Sequence, residues 1–132
     1  KIGGQVKNAG LMDSSYKIPG GGYVTTAEDL MHFAQALMDG KILKAETLTR
    51  MWTPTKLAGG KMSNYGLGFG VLMIGDDKYV AHSGSQQGTS TAMAIIPGRH
   101  FAAAALANMD GVDPFEVVRG ILKLFDMPYP KN

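Results

Sequence analysis

His82-Ser83-Gly84-Ser85-Gln86-Gln87-Gly88 is the stretch around which this chain is organised. A short apolar run, Tyr79-Val80-Ala81, leads into it. A second, Thr91-Ala92-Met93-Ala94-Ile95-Ile96, leaves it and is stopped by Pro97-Gly98. Two apolar runs of this length on either side of a glycine-bearing segment predict two antiparallel strands joined by a hairpin, with His82-Ser83-Gly84 in the turn where the first strand ends. A histidine, a hydroxyl and a residue without a side chain at a strand end also suit an acyl-binding edge. Gly84 lets a ligand approach the backbone, and N–H groups there can point at an oxyanion. Both readings, hairpin corner and acyl-binding edge, stand at this point.

Four other segments flank this one in a fixed order: Pro19-Gly20-Gly21-Gly22-Tyr23-Val24-Thr25-Thr26-Ala27-Glu28-Asp29-Leu30, Met51-Trp52-Thr53-Pro54, Tyr65-Gly66-Leu67-Gly68-Phe69-Gly70 and Leu106-Ala107-Asn108. Together with His82-Ser83-Gly84, they resemble the C-terminal part of the serine β-lactamase/penicillin-binding-protein family. The nearest branch is the class C β-lactamase-like esterases and D-amino-acid-recognising peptidases. The resemblance runs from about Ser15 to Phe125. It implies that His82-Ser83-Gly84 is the third active-site motif in its His-Ser/Thr-Gly form. His82 would line the substrate cleft, as donor, acceptor or cation. Ser83 would offer its hydroxyl to the substrate, and Gly84 would leave the substrate room along the strand. The backbone N–H of Ser85 would be the second oxyanion donor.

The resemblance also implies a nucleophilic Ser three residues before a Lys at the start of a helix, and a Tyr-x-Asn or Ser-x-Asn motif. The 132 residues contain neither Tyr-x-Asn nor Ser-x-Asn. One Ser-x-x-Lys occurs, Ser14-Ser15-Tyr16-Lys17, but Ile18-Pro19-Gly20-Gly21-Gly22 follows it. Proline and three glycines do not continue a helix, so Ser14 is read as a decoy. The expectation is therefore a fragment of a larger β-lactamase-like domain, inactive alone. Its parent would hydrolyse an ester, an amide or a β-lactam through an acyl-serine. The competing readings are a non-catalytic structural or interaction module, and one chain of a two-chain enzyme.

Composition narrows the classes. With 45% hydrophobic residues the chain has the usual makings of a core, and the net charge of +2 comes from interspersed Lys, Arg, Asp and Glu. No basic block points to nucleic acid. No apolar run is long enough to span a bilayer; the longest is 101–107. There is no cysteine, and neither His32 nor His100 has partners at metal-ligand spacing. No metal or organic cofactor is implied, and both histidines read as solvated. The resemblance suggests a bacterial protein, periplasmic, secreted or cytoplasmic, and the residues do not choose among these. The nine methionines are scattered, which suits irregular core filling by Met31, Met38, Met73 and Met93.

The expected fold is α+β in a single domain, with helices and loops over 1–64 and a sheet plus a C-terminal helix over 65–132. Thr25-x-x-Glu28 reads as a capping box, followed by an apolar face of Leu30, Phe33, Ala34 and Leu37, and Gly40 ends that helix. A second helix spans about 45–51 and is limited by Pro54. Strands follow at 67–74, 78–83, 89–96 and 101–107, connected as a meander. Gly66, Gly68 and Gly70 read as close backbone packing within the first of them. Trp52 reads as a core anchor. Asp113, Pro114 and Glu116 open a last helix whose apolar face is Val117, Val118, Ile121, Leu122 and Phe125.

The strand Phe101–Ala107 has no polar face, so it should be covered on both sides. No further strand follows it, and its outer edge needs a partner. The expected partners are the missing N-terminal half, an acyl small-molecule substrate in the parent, and a second copy paired antiparallel through 101–107, or else residues 1–24 folded back on that edge.

Overall fold

The computed structural model describes residues 5–131. It is α+β. Helices α1 (Ala27–Met38) and α2 (Ala45–Met51) precede a four-stranded antiparallel sheet of β1 (Gly70–Ile74), β2 (Asp77–Gln86), β3 (Thr89–Ile96) and β4 (Phe101–Ala107). Helix α3 (Pro114–Leu124) follows. Spatial order equals chain order, so the sheet is a meander, as expected.

Strand alternation sends successive side chains to opposite faces and so builds two cores. On one face Val80, Met93 and Ile95 pack with Ala34 and Leu37 of α1 and with Leu48, Trp52 and Phe69. On the other Tyr79, Ala81, Ala92, Ala94, Ile96 and Ala103 pack with Val118 and Leu122 of α3. Strand β4 joins both. Ala102 and Ala104 lie against the α1 core, and Phe101 and Ala105 against the α3 core. The absence of a polar face on 101–107 is thus explained by a helix on each side.

The helix signals locate each element and miss some details. Helix α1 starts one residue later than the capping-box reading. Thr26 is the N-cap and its hydroxyl accepts from the Asp29 N–H at 3.1 Å. The paired stop is as expected: Gly40, at φ +68°, donates to Leu37, and Lys41 donates to Ala36. This is the Schellman arrangement. Phe33 does not join the core and is 40% exposed. The buried stripe runs through Ala34 and Leu37, flanked by Leu30, Met31 and Met38. In α3, Asp113 caps through a bond from the Phe115 N–H at 2.9 Å, without help from Glu116. Val117 and Phe125 stay exposed there, while Val118 and Leu122 are buried. Met93, Met31 and Met38 fill core gaps, but Met73 is 61% exposed.

His100 is exposed, as expected, and it also makes a contact that the sequence did not anticipate. It sits in the turn between β3 and β4 with its Nε2 2.9 Å from Asp39 Oδ1 at the end of α1. Asp39 also pairs with Lys41 at 2.9 Å. The bond to Lys41, then that to His100, holds the Asp39 carboxyl below the usual range. This contact fixes the end of α1 over the start of β4.

The first strand begins at Gly70, not near Leu67. Residues 66–69 form a loop instead, with Gly66 donating to the Phe69 carbonyl at 2.8 Å. The close approach expected of these glycines is real at Gly66. A Cβ there would lie 2.0 Å from the Met51 carbonyl oxygen, which itself accepts from the Leu67 N–H. Gly59 has open space around the same position. Gly66→Ala is therefore expected to lower stability by about 2 kcal/mol or more, because backbone must move. Gly59→Ala should shift it by no more than about 0.5 kcal/mol. Urea unfolding of the two variants checks this, and equal effects would contradict the packing at Met51.

Candidate active site

Strand β2 is twice the length of β1, and the site lies in the excess. Strand β1 pairs with β2 from Ile74↔Asp77 to Gly70↔Ala81 and then ends. Strand β3 continues alongside β2 from Val80↔Ile95 to Gln86↔Thr89. His82, Ser83 and Gly84 are thus strand residues, not a turn; the turn is Gln87-Gly88. The turn propensity of Ser and Gly loses here to pairing with Thr89, Ser90 and Thr91, whose β-branched members favour the extended backbone.

The register decides which backbone groups are free. In antiparallel pairs, opposite residues alternate between exchanging both hydrogen bonds and exchanging none. The two-residue turn after Ile74 makes Ile74↔Asp77 an exchanging pair. Counting by two, Tyr79 and Ala81 bond to β1, and His82, Gly84 and Gln86 bond to β3. Val71 agrees with this count, since its N–H points away from β2 and donates to Asn64 at 2.9 Å. Ser83 and Ser85 therefore turn their N–H and C=O groups toward the side that β1 has vacated. Among the described residues no loop backbone bond reaches either of them. All four residues from His82 to Ser85 are exposed.

The side chains divide by face. His82 and Gly84 lie on the α1 side, like Val80. The His82 ring meets Tyr65 edge-on, with centroids 6.2 Å apart. Opposite Gly84 stands Thr91, whose Oγ1 would be 2.9 Å from a Cβ at Gly84. Ser83 lies on the α3 side, at the mouth of a cavity of about 440 Å³. That cavity has an apolar wall of Leu72, Tyr79, Ala81, Phe115 and Pro130 and is edged by Asn64, Tyr65 and Arg119.

The second residue past Gly84 on the same face, Gln86, was not singled out in the sequence. Its Oε1 accepts from Lys17 Nζ at 2.8 Å, and its Nε2 donates to the Gly21 carbonyl. It thus ties the Pro-Gly-Gly-Gly segment to the end of β2. A strand period carried two residues beyond Gly84 would have found it. Tyr65 and Thr91 carry no such signal, because only the loop path and the register bring them to the motif. Ser14 precedes a single 3₁₀ turn, Ser15–Lys17, not an α-helix, and the Lys17 ammonium is engaged by Gln86. Among the described residues no group of three or more His, Cys, Asp or Glu could hold a metal ion, and no helix is long and apolar enough to cross a membrane.

Comparison with known proteins bears on the family and the fold. A family model described as Beta-lactamase matches residues 2–125. The mitochondrial serine beta-lactamase-like protein LACTB of Homo sapiens is 29% identical over 116 residues, which is 68% of this chain and 21% of that protein. The Bos taurus protein is 29% identical over 141 residues, covering 87% of this chain and 25% of its own length. The chain thus spans about a fifth to a quarter of the curated relatives it matches. The octameric penicillin-binding protein homologue of Pyrococcus abyssi superposes with a TM-score of 0.65 at 23% identity, over 79% of this chain and 25% of that one. The D-amino acid amidase of Ochrobactrum anthropi SV3, complexed with L-phenylalanine amide, gives 0.58 at 25% identity, over 77% and 33%.

The cavity wall carries a titration that reports its electrostatics. Burial raises the Tyr79 phenol above its ordinary value, and the charge of Arg119 partly opposes the rise. Folding therefore favours the neutral phenol. The resulting stability is present below the unfolded phenol's pKa and is lost as pH rises through the folded one. Arg119→Gln should move the Tyr79 midpoint higher still, as read by ultraviolet absorbance titration with Tyr79→Phe as the blank. A lower midpoint would show that Arg119 does not act on this cavity.

Proposed function

The chain belongs to the beta-lactamase family, and from that premise we propose that its β2 edge is the acyl-binding wall of a serine hydrolase acting on an ester, an amide or a β-lactam. One observation carries this reading: Ser83 and Ser85 present unpaired backbone groups just where β1 stops, with no side chain at Gly84 between them. An extended acyl group can lie antiparallel along such an edge, as a peptide does in strand addition.

The roles follow from position. The Ser85 N–H is one oxyanion donor, and the other is the N–H of the nucleophile. Such a donor accounts for a factor of about 10² to 10³ in turnover. The His82 imidazole, held edge-on to Tyr65, borders the bound acyl group and hydrogen-bonds to it. The Ser83 hydroxyl contacts the substrate from the cavity side. Serine activation requires a base beside the hydroxyl, normally the Lys one helical turn on. Within these 132 residues the only Ser-x-x-Lys is Ser14–Lys17, and Lys17 is bonded to Gln86. The nucleophile and its base therefore come from a polypeptide segment outside the sequence in hand, and this stretch alone binds without turning over. The absence of Tyr-x-Asn and Ser-x-Asn favours one other reading, a non-catalytic module that keeps the fold.

The chain alone is expected to leave nitrocefin and p-nitrophenyl esters intact and to take no label from a fluorescent penicillin. Stoichiometric label that disappears in Ser14→Ala would overturn that. Mixed with a segment carrying the Ser-x-x-Lys and Tyr-x-Asn motifs of the family, it should hydrolyse one of these substrates. Gly84→Val should then lower the rate by about 10² or more, since its side chain fills the substrate's path beside Thr91. Full activity of the Gly84→Val mixture would sink the edge assignment. Binding without hydrolysis in every mixture would favour the non-catalytic module.

A further inference from the structure

The loop between α2 and β1 commits its backbone around one residue. The Tyr65 carbonyl accepts from the Thr55 N–H at 2.9 Å and from the Ser63 hydroxyl at 2.8 Å. The Tyr65 N–H donates to Ser63 Oγ at 3.2 Å. Tyr65 also forms a β-bridge with Gly70, the first residue of β1. Its neighbour Gly66 is fixed against the Met51 carbonyl, where no side chain fits. The main chain at residue 65 is therefore held independently of what its side chain does. That side chain is 44% exposed and belongs to neither core. It borders the mouth of the cavity together with His82 and Ser83.

The Tyr65 ring meets the His82 ring with centroids 6.2 Å apart and planes inclined at 65°. The type of contact decides what the imidazole can still do. A hydrogen-bond partner orients an imidazole by engaging one nitrogen, and so fixes which nitrogen carries the proton. An edge-on aromatic contact orients the ring and engages neither nitrogen. Among the described residues neither His82 nitrogen is engaged, whereas the Nε2 of His100 is bonded to Asp39. His82 is exposed, so without a neighbour its ring would exchange among rotamers in water. Ordering it would then fall to the substrate, at a cost in binding or in rate.

We propose that Tyr65 is a positioning residue for His82: its ring confines the imidazole to one orientation beside the bound substrate and leaves both ring nitrogens free to bond there. This rests on the reading of the β2 edge as the acyl-binding wall, and adds how its one ionisable side chain is held. Two consequences separate this role from others open to a half-exposed tyrosine. The work is done by the ring face and edge, so the phenol hydroxyl is dispensable. The benefit passes through His82, so it vanishes when the imidazole is removed. Because the loop backbone carries its own bonds, exchanging the side chain at residue 65 leaves the loop in place.

A double-mutant cycle in the hydrolysing mixture tests this, using Tyr65→Phe, Tyr65→Leu, His82→Ala and the Tyr65→Leu/His82→Ala pair. Tyr65→Phe should stay within about twofold of the wild-type kcat/KM and keep the nuclear Overhauser contact between rings 65 and 82. Tyr65→Leu should lower kcat/KM by a factor of about 3 to 10, the scale of one aromatic contact. His82→Ala should cost at least as much, and adding Tyr65→Leu to it should cost nothing further. Where a mixture binds substrate without turning it over, the same cycle is read on Kd. Equal losses from Tyr65→Leu in both backgrounds overturn the proposal. So does Tyr65→Phe as slow as Tyr65→Leu, which would move the role to the hydroxyl, and so does a wild-type chain without the ring contact. A His82→Ala mixture as active as wild type is a different failure. It removes His82 from the acyl-binding wall, and the proposal falls with that reading although the ring contact persists.

Discussion

The mismatch in length between β1 and β2 is the constraint on which the rest of this structure depends. A strand flanked on both sides spends all its backbone groups on its neighbours. Because β1 stops at Gly70, β2 runs on with one side unspent. The stop is enforced by the loop before it: Gly66 lies against the Met51 carbonyl, and Val71 bonds to Asn64. The chain can then no longer follow β2. The same loop delivers Tyr65 to the His82 ring. One local packing event thus ends a strand, opens an edge and furnishes its neighbour.

Two helical layers hold that edge straight. The first, α1 with α2, clasps the face that carries His82 and Gly84. The second, α3, clasps the face that carries Ser83. The alanines of β4 let both layers approach closely, and the hydrogen bond between His100 and Asp39 ties the end of α1 to the turn before the strand. Packed interiors of this kind deform little, so the spacing of the exposed groups at Ser83 and Ser85 is set before any ligand arrives. That is the condition under which backbone dipoles stabilise developing charge effectively.

Much of this was legible in the sequence because it rests on local rules. The meander, the caps at Gly40 and Asp113, the second helix and the two-sided burial of 101–107 follow from periodicity and turn residues. Where the reading failed, tertiary context had overruled a local preference. Gly84 and its serines looked like a turn until the threonines of β3 drew them into the sheet. Phe33, Val117 and Phe125 have apolar side chains at helical spacing, yet the helix axis rotates them off the core. His100 found a partner 61 residues away, which no spacing rule anticipates. The motif His82-Ser83-Gly84 was found because residue types in order are visible in a sequence. Gln86, Thr91 and Tyr65 were not, because their relation to it exists only after pairing.

The Gln86 side chain uses both ends of its amide, the oxygen toward Lys17 and the nitrogen toward Gly21. Such a contact has a polarity that an acid cannot copy. Hydrolysis of this one amide to a carboxylate would strengthen the grip on the lysine and set oxygen against oxygen at the glycine. The glycine-rich segment would then be held at one point where it had been held at two. A single atom replaced by ageing of the polypeptide would convert a rigid bracket beside the open edge of β2 into a pivot.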